Sequence, residues 1–212
     1  MEEVFVQQAA PFWSYLPAII TAIGTIVMGW FSYNQYTKNK MTDRKIELWK
    51  ADEEKKSAKR SEDLAKIFGE LWSILRATHA DRVYIIQPHP LTNHEYISIS
   101  LEVRDNGISS MRPVLNRISM DTLPKFCAEL ATSDTLCYDD VKSQMEDEHM
   151  RSILSANGTD MLFIKRISTP NDGWIGSIVI DFTHSQTLQP ETYQFITESA
   201  VDTIRYILPE YK

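Results

Sequence analysis

The chain has 212 residues, 43% apolar and 24% charged, which is room for one domain with a real core plus a small appendage. Two Cys exclude a disulfide-stapled scaffold, and seven Gly argue against glycine-rich nucleotide loops and repeat arrays. A net charge of −7 argues against general nucleic-acid binding.

The charge is unevenly spread. Residues 1–37 carry −2, residues 38–66 carry +3, and residues 67–212 carry −8. This partition predicts a short acidic N-terminus (1–15), a transmembrane helix (16–36), a charged helical stalk (37–63) and an α+β domain (64–212).

Leu16 to Tyr33 has no charged residue. Eighteen helical residues span roughly 27 Å, close to a hydrocarbon core of about 30 Å. Phe12, Trp13 and Tyr15 at one end, and Trp30, Phe31, Tyr33 and Tyr36 at the other, match interfacial aromatic belts. A signal peptide wants a basic start, and Met1 to Ser14 has no Lys or Arg. The residues expected to meet lipid are Leu16, Ile19, Ile20, Ile23, Ile26, Val27, Trp30 and Phe31. Thr21 and Thr25 are expected to return their hydroxyls to the helix backbone. Lys38, Lys40, Arg44 and Lys45 follow the span, so the positive-inside rule places the C-terminal domain in the cytoplasm. The expected location is the inner (cytoplasmic) membrane, single-pass.

Asn39 to Lys66 mixes both signs without Pro or Gly and predicts a solvated helix, with Lys50/Glu54 and Glu62/Lys66 as i,i+4 pairs. From Leu64 the apolar spacing becomes helical through Ile67, Phe68, Leu71, Trp72, Ile74 and Leu75. Arg82 to Gln87 reads as a strand stopped by Pro88-His89-Pro90. Tyr96 to Arg104 alternates, with Ile97, Ile99, Leu101 and Val103 expected on one face. Leu123, Phe126, Cys127 and Leu130 predict a helix opened by Pro124, and Thr135 to Tyr138 a short strand. Glu146 to Ala156 predicts a helix, its first-turn acids favouring the dipole. Asn157-Gly158 ends that helix, so Asn157-Gly158-Thr159 reads as a cap rather than a glycosylation site. Met161 to Ile167 and Trp174 to Phe182 predict a hairpin, and Pro190 opens a last helix with Ile196, Ala200, Ile204 and Ile207 on one stripe. The order implies an antiparallel sheet flanked by helices.

Ala80-Asp81-Arg82-Val83-Tyr84-Ile85 after the first domain helix, and Gly173-Trp174-Ile175-Gly176-Ser177-Ile178 before the last, make residues 64–208 resemble a GAF domain. GAF domains bind small ligands, chromophores or partner proteins. The Asn-Lys-Phe-Asp-Glu set of cyclic-nucleotide GAF domains is absent here, as is a bilin-attaching Cys followed by His. The layout also resembles the large single-span holins of T-even phages, through Trp30 to Lys45, Ala80-Asp81 and the hairpin around Asp172 to Phe182. That resemblance implies assembly in the host inner membrane, lesions that admit a lysis enzyme, and a periplasmic domain that receives an inhibitor. The charge rule points to the opposite side.

His89, His94 and Glu95 share a loop but lack further ligands at metal-site spacing. Cys127 and Cys137 read as reduced core residues, with a disulfide open only to a periplasmic domain. No Gly-x-Ser-x-Gly elbow, P-loop or dinucleotide fingerprint occurs. A ligand pocket is sought between the sheet and residues 117–140, with Tyr84, Tyr138, Asp139 and Trp174 as candidates; the alternative is that these four simply finish the core edge. The expectation is a non-enzymatic, membrane-anchored protein without cofactor, metal or nucleic acid. Its partners are membrane lipid, further copies of itself, and an inhibitor or partner protein on the soluble domain. The functional reading is a phage holin-like lysis protein, with a membrane-tethered GAF-like sensor or scaffold as the alternative.

Overall fold

The computed structural model describes residues 15–91, 93–171, 173–185 and 189–209. The chain divides into two compact units, Met1–Ser57 and Ala58–Lys212. Helix α1 runs Leu16–Thr78 without interruption. In the first unit its apolar stretch reaches a mean hydropathy of 1.5 over an 18-residue window, none of it buried, which is long and apolar enough to cross a membrane. Thr21 and Thr25 donate to the carbonyls of Pro17 and Thr21 at 2.8 and 2.6 Å, so neither hydroxyl competes with the helix. Further along, Asp52–Lys56 and Glu62–Lys66 pair at 2.7 and 2.8 Å. The anticipated Lys50–Glu54 pair does not form among the described residues.

The second unit is built on a six-stranded antiparallel sheet in the order β3-β2-β1-β6-β5-β4. The strands are β1 Arg82–His89, β2 Tyr96–Arg104, β3 Ile118–Ser119, β4 Thr135–Tyr138, β5 Met161–Ser168 and β6 Trp174–Phe182. Four helices complete it: α2 Pro124–Thr132, α3 Val141–Gln144, α4 Glu148–Ala156 and α5 Pro190–Ile204. Two hairpins, β1–β2 and β5–β6, join where β1 pairs with β6. These central strands are buried on both faces, which explains their unbroken apolar runs.

Each face carries its own core. On the first, Ile67, Leu71, Ile74 and Leu75 of α1 and Tyr193, Ala200 and Ile204 of α5 pack on Val83, Ile85, Phe163, Ile178 and Ile180. On the second, α2, α3, α4 and the segment through Met111, Leu115 and Leu123 cover Tyr84, Ile86, Leu162, Ile164 and Val179. Burying each such aliphatic side chain contributes about 1.5–3 kcal/mol.

Three local readings are corrected. The β1–β2 register shifts between Ile85 and Ile86, leaving Ser100 unpaired. Side chains alternate with period two, so this bulge sends Leu101 and Val103 to the first core but Ile97 and Ile99 to the second, not all four to one face. Strand β1 continues through Pro88, paired with Ile97. Beyond Ile86 it has lost β6, so a missing N–H is tolerated on that one-sided ladder. Helix α4 starts at Glu148 because Asp147 is its cap, accepting from the Met150 N–H at 3.1 Å, and a separate short α3 precedes it, capped by Asp140.

Candidate functional site

The second face holds most of the residues singled out for a ligand. Tyr84, Tyr138 and Trp174 all lie in its packed core. Tyr84 is fully buried near the start of β1, and its hydroxyl donates to Asp181 Oδ2 at 3.4 Å. Burial, followed by the Asp181 charge, raises its phenol well above the ordinary value. Tyr138 ends β4, and its hydroxyl donates to Glu129 of α2. Trp174 opens β6; its indole N–H donates to Ser177 Oγ at 3.1 Å, and His94 meets its ring edge-on at 5.9 Å between centroids. Asp139 stands apart, exposed on the β4–α3 connection, where its backbone N–H is held by Gln144 Oε1 at 2.7 Å.

The sequence reading missed a buried polar centre beside Tyr84. Arg82 and Asp181 are both fully buried and pair at 3.0 Å. Arg82 also donates to Thr159 Oγ1 at 3.0 Å and to the Asn157 carbonyl at 3.2 Å, while Thr159 donates to Asp181 Oδ2 at 3.2 Å. Burial pushes the Asp181 carboxyl up to about 6, against the opposing pull of Arg82. The available signal was an ionic residue at each end of otherwise apolar strands, Arg82 opening β1 and Asp181 within Ile178-Val179-Ile180-Asp181-Phe182. This centre ties the α4 C-terminus to the middle of the sheet.

A second polar cluster lies at the far end of β1. His89 Nε2 and Ser98 Oγ are 2.8 Å apart, and the Arg117 N–H donates to Ser98 Oγ at 2.7 Å. Burial, then the Arg117 charge, lowers the His89 pKa. His89 stacks on Tyr96, and the Arg117 guanidinium lies 5.2 Å from the Tyr96 ring centroid. His89 and His94 thus serve different neighbours rather than one ligand set.

Both cysteines are free. Cys127 is buried in the second core, and burial pushes its thiol up to about 12. Cys137 is exposed, not a core residue. It sits between Leu136 and Tyr138, which pack on the second core, so its side chain leaves the sheet on the opposite side from Cys127. The two sulfurs therefore cannot meet.

Two of the surface grooves among the described residues border the first face. One, of about 320 Å³, lies between β5 and α5, where Lys165 pairs with Asp134 at 2.7 Å and Arg205 pairs with Asp202. The other, of about 580 Å³, lies between the end of α1 and the end of β2, lined by Trp72, Arg76, His79 and Arg104 among others.

The sequence matches no family model. It matches no curated protein either. The fold is that of GAF domains. The blue-light-absorbing PixJ GAF domain of Thermosynechococcus elongatus superposes with a TM-score of 0.58 at 9% identity, covering 71% of this chain and 89% of that one. The cyanobacteriochrome receptor PixJ gives 0.56 at 10% identity, covering 69% and 97%. The phycocyanobilin-bound GAF domain of a cyanobacterial phytochrome gives 0.53 at 17%, covering 71% and 91%.

Proposed function

We propose that this protein is a membrane-tethered, non-enzymatic sensor or scaffold whose GAF-like domain binds a small ligand or a partner protein. The observation that carries this reading is the coupling, in one chain, of a GAF fold to a helix long and apolar enough to span a membrane. The fold's neighbours include a cyanobacteriochrome receptor and a phycocyanobilin-bound GAF domain, and they support the sensor alternative better than the lysis reading. A thioether-held bilin is not part of the proposal, because neither cysteine is followed by His: Cys127 precedes Ala128 and its thiol is buried, and Cys137 precedes Tyr138. The proposed ligand region is the second face, around Tyr84, Tyr138 and Trp174.

The experiment is expression of the full chain in a two-membrane bacterium with a potential-sensitive dye. A sensor leaves the potential intact at high expression. Collapse of the potential would overturn this reading and restore the holin-like one.

A further inference from the structure

The last three turns of α1 present different chemistry on their two sides. Inward, Leu71, Ile74 and Leu75 are buried in the first core. Outward, Phe68 and Trp72 stay 37% and 42% exposed, outside the core. The Arg76 guanidinium lies 5.9 Å from the Trp72 ring centroid, a cation–π arrangement that holds both groups at the surface. Trp72 and Arg76 line the 580 Å³ groove toward β2 and also an adjoining one of about 700 Å³ along Gly69 and Ala77. The two grooves are open-sided and share Trp72 and Arg76 in their walls; together they are called the trough.

The trough is basic on an acidic domain. Residues 67–212 carry a net −8, yet Arg76 and Arg104 have no carboxylate partner among the described residues. Arg104 donates to the Ile108 carbonyl, which fixes the guanidinium but leaves its charge uncancelled. Among the described residues lining these grooves the one acid is Asp105, which accepts the Asn106 N–H at 2.8 Å.

We propose that this trough, centred on Trp72, Arg76 and Arg104, is the docking surface for an acidic segment of a partner protein. Trp and Arg are the side chains most enriched at binding hot spots. Complementary charge gives the partner its orientation and its rate of encounter. Open-sided grooves suit a peptide segment, whereas small ligands favour enclosed pockets. The inference rests on the scaffold half of the reading above. Its assay reads peptide binding alone, so a failure here leaves the membrane-potential test of that reading untouched.

The test uses the full chain in nanodiscs and a fluorescein-labelled, terminally blocked peptide, Glu-Glu-Leu-Glu-Asp-Leu-Glu-Glu, followed by anisotropy. The expected result is saturable binding that weakens about tenfold between 50 and 500 mM NaCl, as exposed charge pairs are screened. Trp72→Ala should weaken binding about tenfold, the scale of a hot-spot truncation. Arg76→Glu/Arg104→Glu should abolish it, and Arg76→Gln/Arg104→Gln, which keeps side-chain bulk, should weaken it with an unchanged melting temperature. Absence of saturable binding, or equal binding by the charge-reversed variant, overturns the proposal. Equally strong competition by tripolyphosphate reassigns the site to a small anion. A changed oligomeric state of the charge-reversed variant in light scattering reassigns the face to a second copy of the chain. Either reassignment also overturns the proposal.

Discussion

Arg82 and Asp181 show how much one pair can demand of its surroundings. Neither side chain is exposed, so each relies on the other and on Thr159, Tyr84 and the Asn157 carbonyl. Removing one partner leaves an uncompensated buried charge, which costs about 3–5 kcal/mol. Asp181→Asn is therefore expected to lower the urea-unfolding free energy by about that amount, whereas Arg82→Met with Asp181→Leu should recover at least half of the loss. Asp81 is a carboxylate shifted the opposite way from Asp181. Burial alone would raise Asp81, but the Thr183 N–H and hydroxyl and the His184 ring outweigh it and hold the carboxyl below its usual value. A lowered folded pKa contributes stability above the unfolded value of about 4, and that contribution is lost as pH falls through the folded one. The stability gap between wild type and Asp81→Asn, read by urea unfolding at pH 7 and pH 3, should shrink at pH 3. An unchanged gap would show that these bonds do not discriminate the charged form.

Among the elements, Ser100 matters for its position rather than its side chain. Its hydroxyl makes one bond, to the Ile85 carbonyl at 3.3 Å, while its backbone is the extra residue that turns β2 over. Ser100→Ala should cost under about 1 kcal/mol. Deleting Ser100 restores strict alternation and drives either Ile97 and Ile99 or Leu101 and Val103 to the wrong core, so a cooperative unfolding transition should vanish. Asp147 is a second such position, capping α4 through Met150 and also accepting the Phe126 N–H of α2 at 3.3 Å. Asp147→Ala should cost about 2 kcal/mol in the same assay, with Asp147→Asn intermediate. These two sites mark the limit of what the sequence shows. The α2 stripe, the β5–β6 hairpin and the antiparallel α+β plan are legible, because each repeats a local period over several residues. A bulge is a single residue without a compositional mark, and Asp147 looks from sequence like one more first-turn acid. The candidate site divides in the same way. Aromatic residues at strand ends were visible, but the Arg82–Asp181 pair joins residues 99 apart, and the Trp72–Arg104 groove joins a helix to a strand whose contact no spacing reveals.

At the scale of the whole molecule, the flanking charge and the holin-like resemblance read from the sequence, which the fold's neighbours do not support, put the domain on opposite sides of a membrane. Lys38, Lys40, Arg44 and Lys45 follow the apolar stretch of α1, and the positive-inside rule keeps such a flank in the cytoplasm. A holin-like layout needs the same domain outside. The dispute has meaning only if the helix inserts, so insertion is tested first. Leu16 to Tyr33 has no charge, and placing a Lys near the centre of a span costs about 2.5–3.5 kcal/mol. Ile23→Lys with Val27→Lys should move the full chain from the carbonate-resistant membrane fraction to the extractable one. If both forms resist extraction equally, the apolar stretch is not the anchor. With insertion shown, a reporter fused after Lys212 reads the side directly. Activity in the cytoplasm fits a domain that meets soluble ligands and partners there, and agrees with the flanking charge. Activity in the periplasm would mean that the flank was overridden, as happens when a long domain translocates with little regard to charge. Exchanging Lys38, Lys40, Arg44 and Lys45 for Gln then separates the two cases. A cytoplasmic domain held by its flank should become partly periplasmic, while a domain already outside should stay there.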